Sequence, residues 1–224
     1  MKANRNIWKD DKGFIWMLAI SILMLISTQF TKGILWEGKL VLRTGFFLFM
    51  LIAVRSSAVS GLGKSIGYTI ASLILILAIA MVRNETQWLN VLYTFLVTGY
   101  MIYIIALVVS QIFAGGIITT KKIAGGVAAY VLLGLIWGSL YFTLYLLQPD
   151  SFQYGGERIQ SDEALKHLSY FSFVTLTTIG YGDITSVGST ARVLVMLEGL
   201  LGQLFPAVFI AKLVSQQIED SKRK

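Results

Sequence analysis

Residues Thr177-Thr178-Ile179-Gly180-Tyr181-Gly182-Asp183 read TTIGYGD, a stretch whose useful chemistry lies in its backbone. A cation leaving water needs oxygens on every side to replace its hydration shell, and strands of backbone carbonyls around an axis supply them. Gly180 and Gly182 permit the positive φ angles that turn successive carbonyls toward one axis. Thr178 adds a hydroxyl rung at the inner end. The Tyr181 ring braces the strand from outside, and Asp183 sets a carboxylate at the mouth. A polar, glycine-containing turn between two helices is the bland alternative. It fits poorly, because the heptapeptide lies between apolar spans, where irregular backbone must line a cavity or be buried in protein.

Composition supplies the elements that hold such a strand. The 224 residues are 55% hydrophobic and 14% charged, with a mean hydropathy of +0.70, which is a membrane composition. There is no cysteine, so no disulfide framework or thiolate metal site forms. Gly13–Thr31 and Ser65–Val82 are uncharged and approach the ~20 residues that cross ~30 Å of hydrocarbon. Thr86–Thr120 is uncharged but too long for one span, and Gly115-Gly116 offers the break. Ile123–Pro149 and Val193–Ala211 complete the set, the latter interrupted only by Glu198. Arg43 and Arg55 bracket Thr44–Val54, which crosses if both arginines snorkel to opposite interfaces. The expected fold class is an all-α membrane protein. Six transmembrane helices are expected near 14–31, 40–58, 66–83, 88–112, 123–148 and 190–217.

Alternate loops on opposite sides divide the basic residues unequally. Lys2, Arg5, Lys9, Lys12, Arg55, Lys64, Lys121, Lys122, Lys212, Lys222, Arg223 and Lys224 fall on one side. Lys32, Lys39, Arg43, Arg83, Arg158, Lys166 and Arg192 fall on the other. The first side is therefore expected to be cytoplasmic, with both termini inside and the heptapeptide opening outward. This asymmetry explains the +7 net charge without nucleic acid. No A-x-A-like site follows the apolar run Phe14–Ser27, so a retained first helix is expected rather than a cleaved signal peptide.

The stretch from about Ile123 to Gln217 resembles the pore module of the tetrameric potassium channels. Besides the heptapeptide, Arg192 and Gly202 sit where such modules commonly carry an arginine opening the inner helix and a hinge glycine. YFSFVTLTT at 170–178 and LEGLLGQ at 197–203 resemble a bacterial group of small channels with four helices before the pore. Over residues 1–113 the resemblance rests on helix count. It implies an outer helix at 123–148, a turret at 149–166, a pore helix at 167–177, a filter at 178–182 and an inner helix at 190–217. A peripheral four-helix unit (1–113), a linker (114–122) and a short cytoplasmic tail (218–224) complete the plan. One filter per chain implies a homotetramer in the cell membrane.

Several residues stand out around this plan. Thr178, Ile179, Gly180, Tyr181 and Gly182 are the expected potassium ligands, and Tyr170, Thr175, Thr177 and Glu198 the expected supports of the filter. Gly202, Gln203 and Pro206 are expected at the inner-helix hinge and cavity. Thr119 or Thr120 is an expected cap for the fifth helix, and Ser161 with Asp162 and Glu163 for the pore helix. Gly134 and Gly138 form a GxxxG pair suited to a close helix contact. His167, the single histidine, reads as a loop residue.

Glu198 is the one acid inside the sixth span. At 100° per residue it lies about 140° from Gln203, so it faces protein if Gln203 faces the cavity. Thr175, Ser172 or Tyr170 is its expected hydrogen-bond donor. Glu198→Gln is expected to assemble with altered open probability or filter stability.

The expected function is passive potassium conduction with no enzyme chemistry and no cofactor, potassium being the permeant ion. Membrane lipid is an expected partner. With seven residues after Gln217, no sensor domain is expected there, although a separately encoded regulatory subunit is compatible with the sequence. Trp88–Thr120 contains no Arg or Lys, so strong voltage gating is not expected. The alternatives are a non-selective cation channel, in which the Tyr or a glycine of the filter tends to be lost, and a subunit of a potassium uptake transporter.

Overall fold

A computed structural model describes residues 13–29, 36–56, 61–81, 86–113 and 119–222. The Gly115-Gly116 break, the N-terminal basic residues, Lys32, Arg83, Arg223 and Lys224 lie outside these described residues. Among the described residues seven α-helices follow one another: α1 (Gly13–Gln29), α2 (Trp36–Ser56), α3 (Gly61–Ala80), α4 (Gln87–Phe113), α5 (Thr120–Leu147), α6 (Ala164–Leu176) and α7 (Ser189–Lys222). Their cause is the long uncharged runs: with no water to satisfy backbone groups, a helix bonds them within its own segment.

Four of these helices are long and apolar enough to cross a membrane, within Gly63–Ala80, Gln87–Phe113, Lys122–Leu147 and Ser189–Ile218. The first helix is apolar but has only 17 residues. Helix α2 carries charge along its length, and Arg43 does not simply snorkel away. Its guanidinium lies 5.4 Å from the Tyr93 ring centroid and 3.4 Å from the Ala78 carbonyl, so its charge is used against α3 and α4. Tyrosine hydroxyls tie the same helices together, Tyr100 to the Met50 carbonyl and Tyr103 to that of Gly63.

Helix α5 is the hub, packed against α1, α4, α6 and α7. Just over half of its span (56%) is buried within this one chain, against 17% for α7. One apolar cluster joins it to α1, α2 and α4 through Met17, Phe49, Tyr100 and Leu132. A second joins it to α6 and the outer loops through Tyr141, Phe152, Leu168 and Leu176. Thr119 caps α5, its side chain accepting from the Lys122 amide at 3.4 Å.

The loop expected to be a plain polar turret is structured. After a 3-10 turn at Pro149–Ser151 come β1 (Phe152–Tyr154) and β2 (Glu157–Arg158), and β3 (Ile184–Ser186) follows the filter. The strand order is β2-β1-β3, antiparallel throughout, with Gln153 opposite both Arg158 and Thr185. Gly155 and Gly156 take positive φ, 58° and 87°, to turn the hairpin. Helix α6 starts at Ala164, earlier than expected, and no side chain caps it. Ser161 instead belongs to a turn closed by the Glu163 amide on the Gln160 carbonyl.

Candidate functional site

Helix α6 ends against the strand 178–182, the expected filter, and the strand's amides satisfy the helix's last carbonyls. Thr177 N–H donates to Phe173, Thr178 N–H to Thr175, and Ile179 and Gly180 N–H to Val174, at 2.9–3.3 Å. The orphan carbonyls of a helix terminus are thereby bonded. With these amides turned back onto α6, the strand's own carbonyls are left over. Among the described residues, none of the carbonyls of Thr178, Ile179, Gly180, Tyr181 or Gly182 accepts a hydrogen bond.

Handedness alternates along this strand. Thr178 has φ 61°, Gly180 φ 61° and Gly182 φ 78°, and Ile179 and Tyr181 are not left-handed. A β-strand sends successive carbonyls to opposite sides; alternation of hand lets them share one. The two glycines take this conformation freely. Thr178 does not, since positive φ in a β-branched residue is a rare, strained state. Its strain was not foreseen from sequence, where only the glycines announced such angles. The Gln203 side chain reaches toward it, Nε2 lying 3.4 Å from Thr178 Oγ1.

The outer end is pinned to the small sheet. Gly155 N–H donates to the Asp183 carbonyl at 2.9 Å, and Val187 N–H to that of Ser151 at 2.9 Å. Asp183 Oδ1 accepts from the Ile184 amide at 3.0 Å, and its side chain is hydrogen-bonded to Tyr170. Thr177 Oγ1 bonds back to the Phe173 carbonyl. Arg192 Nε reaches the Ser186 carbonyl at 3.3 Å. His167 stacks on Tyr154 at 4.6 Å and lies 3.6 Å from Glu163. It is not a loop residue: it lies in the first turns of α6 and packs on the hairpin, because the helix starts earlier than expected.

Behind the strand, α5 and α6 run in close antiparallel contact. Tyr130 O–H donates to the Leu176 carbonyl at 3.0 Å. The Phe173 ring covers Gly134, and the Ser169 backbone covers Gly138. The GxxxG pair therefore faces α6, where side chains at both positions would hold the helices apart.

Glu198 is fully buried, on the side of α7 facing α5 and α6. Ser172 and Tyr141 are its partners, at 2.5 Å each. Thr175 and Tyr170, the other expected donors, are not among its hydrogen-bond partners in the described residues; Tyr170 turns to Asp183. Tyr141 was missed from sequence, its hydroxyl being one among ten tyrosines with no motif around it.

Gly202 meets the Leu176 carbonyl oxygen, which a Cβ would approach to 2.4 Å. The expected hinge glycine is thus also a contact glycine. Pro206 lies inside α7, which continues past it. Having no N–H, Pro206 leaves the Gly202 carbonyl four residues earlier without its helical donor. Both candidate hinge residues therefore weaken the same point. Gln203, Ile210 and Val214 are exposed, and Met196, Gly199, Leu200, Gln203 and Leu204 line a shallow apolar groove.

The family model described as "Ion channel" matches residues 123–218. The matched segment runs from α5 through α7 with the strand between, and is similar to the two-transmembrane pore-loop cation channels. Protein LctB of Geobacillus stearothermophilus is 34% identical over 80 residues, 36% of this chain and 54% of that protein. The chain thus spans about half the length of the curated relative it matches. No solved structure matches it.

Proposed function

We propose that four copies of this chain form a potassium-selective channel, conducting passively through carbonyls of Thr178, Ile179, Gly180, Tyr181 and Gly182. One observation carries the reading: a strand of alternating hand whose five carbonyls are uncommitted, between two helices able to span a membrane. Such carbonyls replace a cation's hydration shell when strands surround an axis. One copy cannot do this. Ile179 and Tyr181 are 54% and 70% exposed in the single chain, and irregular backbone at membrane depth must be enclosed by protein or line a cavity. The uncovered face of α7, including Met196, Leu200, Leu204 and Val208, is the surface that neighbouring copies and the central cavity take up.

The plan extends to six spans in the cell membrane, with both termini cytoplasmic, Asp183 at the outer mouth and α6 aiming its negative C-terminal dipole at the cavity. Purified protein in liposomes should pass potassium and discriminate against sodium. Equal permeability to the two would leave the non-selective alternative in its place.

Helix α4, in the position a voltage sensor would occupy, has no Arg or Lys between Gln87 and Phe113. Each charge moved through 100 mV contributes only ~2.3 kcal/mol, so steep gating needs several. Bilayer recordings should therefore show weak voltage dependence. A steep conductance–voltage curve that persists when permeant ions and blockers are varied would contradict this.

A further inference from the structure

Ser172 stands at a junction of three helices. Its Oγ lies 2.8 Å from the Gly134 carbonyl of α5 and 2.5 Å from Glu198 Oε1 of α7. Tyr141 O–H of α5 lies 2.5 Å from Glu198 Oε2. Each hydroxyl brings one hydrogen, and a carbonyl brings none. The Gly134 contact can be filled only by the Ser172 hydrogen. Tyr141 fills the Oε2 contact. The contact between Ser172 Oγ and Glu198 Oε1 then has no hydrogen unless the carboxyl supplies it.

We infer that Glu198 is a neutral carboxylic acid donating to Ser172, and that its proton sets how α6 sits behind the filter. The chain runs Tyr141 to Glu198 to Ser172 to Gly134, each member donating to the next. The surroundings agree. From α5 the titratable groups on this side are Tyr141 and, further inward, Tyr130; α6 contributes the Ser172 hydroxyl. On α7 itself Arg192 is exposed and bonded to the Ser186 carbonyl. Among the described residues no cation is a partner of this buried carboxyl, and a buried carboxylate without a counter-charge is strongly disfavoured.

The proton has a structural consequence. An ionised Glu198 only accepts, so Ser172 must swing its single hydrogen from Gly134 to the carboxylate. The tie between α5 and α6 then opens beside the Phe173 and Val174 carbonyls that hold the filter amides. Glu198 is a positioning residue: it touches no ion and acts through α6. This inference deepens the channel reading and rests on it for its effect on conduction.

The test uses the full chain in lipid. Infrared difference spectra of wild type against E198Q at neutral pH should contain a carboxylic-acid C=O band that E198Q lacks. The band should shift in S172A, where the acid loses its acceptor. Potassium flux of wild type should fall severalfold as pH is raised through the loss of that band. In E198Q the amide donates to Ser172 and accepts from Tyr141 at every pH, so its altered open probability should appear as a lost alkaline response. Carboxylate bands alone in the wild type at neutral pH would overturn the proton assignment. A flux profile shared by wild type and E198Q would overturn the coupling to the filter, as would a wild-type flux that stays flat while the band disappears. The infrared measurement needs no conduction, so absent potassium flux would count against the channel reading while the band still decides where the proton lies.

Discussion

Replacing Gly180 or Gly182 by alanine should abolish selective potassium flux. Both glycines sit at positive φ, 61° and 78°, and a Cβ at either would meet nothing within 4 Å among the described residues of the subunit. The cost is therefore conformational rather than steric. An L-residue pays about 1–2 kcal/mol to hold the left-handed region, or about 4–8 kcal/mol over the four copies of the proposed assembly. That exceeds what a strand held only at its ends by α6 and the small sheet can absorb, so the carbonyls rotate out of line. Gly156→Ala provides the comparison. It also takes a left-handed backbone (φ 87°) in the hairpin turn but, unlike Gly155, is not the residue whose amide holds the Asp183 carbonyl, so it should weaken the turret and leave selectivity intact. The measurement is potassium against sodium flux from liposomes containing each variant. Selective flux retained in Gly180→Ala and Gly182→Ala alike would show that the strand's hand does not matter.

Gly202→Ala should cause the next largest loss, for a different reason. Its Cβ would come within 2.4 Å of the Leu176 carbonyl oxygen, which is backbone and cannot rotate aside. That same carbonyl accepts the Tyr130 hydroxyl, so α6 is held from the other side. Either α7 moves outward or the end of α6 carries the filter with it, at about 1–3 kcal/mol of overpacking per subunit. Gly99→Ala in α4 makes the contrast, because a Cβ there meets nothing within 4 Å. It should be neutral or stabilising by about 0.5–1 kcal/mol, as alanine is a better helix former than glycine. Thermal stability and potassium flux of the two variants separate the effects. Equal behaviour would mean that the α6–α7 contact does not position the filter.

Much of this was legible along the chain, because local pattern carries it. Uncharged runs mark membrane helices, since a charge deep in hydrocarbon is costly; α4, α5 and α7 stand where the runs at Thr86–Thr120, Ile123–Pro149 and Val193–Ala211 are. Gly180 and Gly182 announce their backbone angles by lacking a Cβ. A short or charged run is less informative. The second span reads as two snorkelling arginines, yet Arg43 finds Tyr93 and the Ala78 carbonyl, partners that only the packing of α2 on α3 and α4 supplies.

By itself, the sequence determined a helical membrane chain and a glycine-containing backbone motif of the kind that suits a cation, at residues 177–183. Both follow from residue type within a few neighbours, where hydropathy and φ preference act. Tertiary structure decided what stands behind that motif. Tyr141 and Glu198 are 57 residues apart in the chain, and Phe152 and Ser186 pair across the whole pore helix and filter. A hydroxyl's partner and a strand's edge are set by which helices meet, and packing brings together residues whose separation no periodicity encodes. Thr178 shows the same division at one position: its type argues against positive φ, and the bonds of its neighbours to the end of α6 impose it.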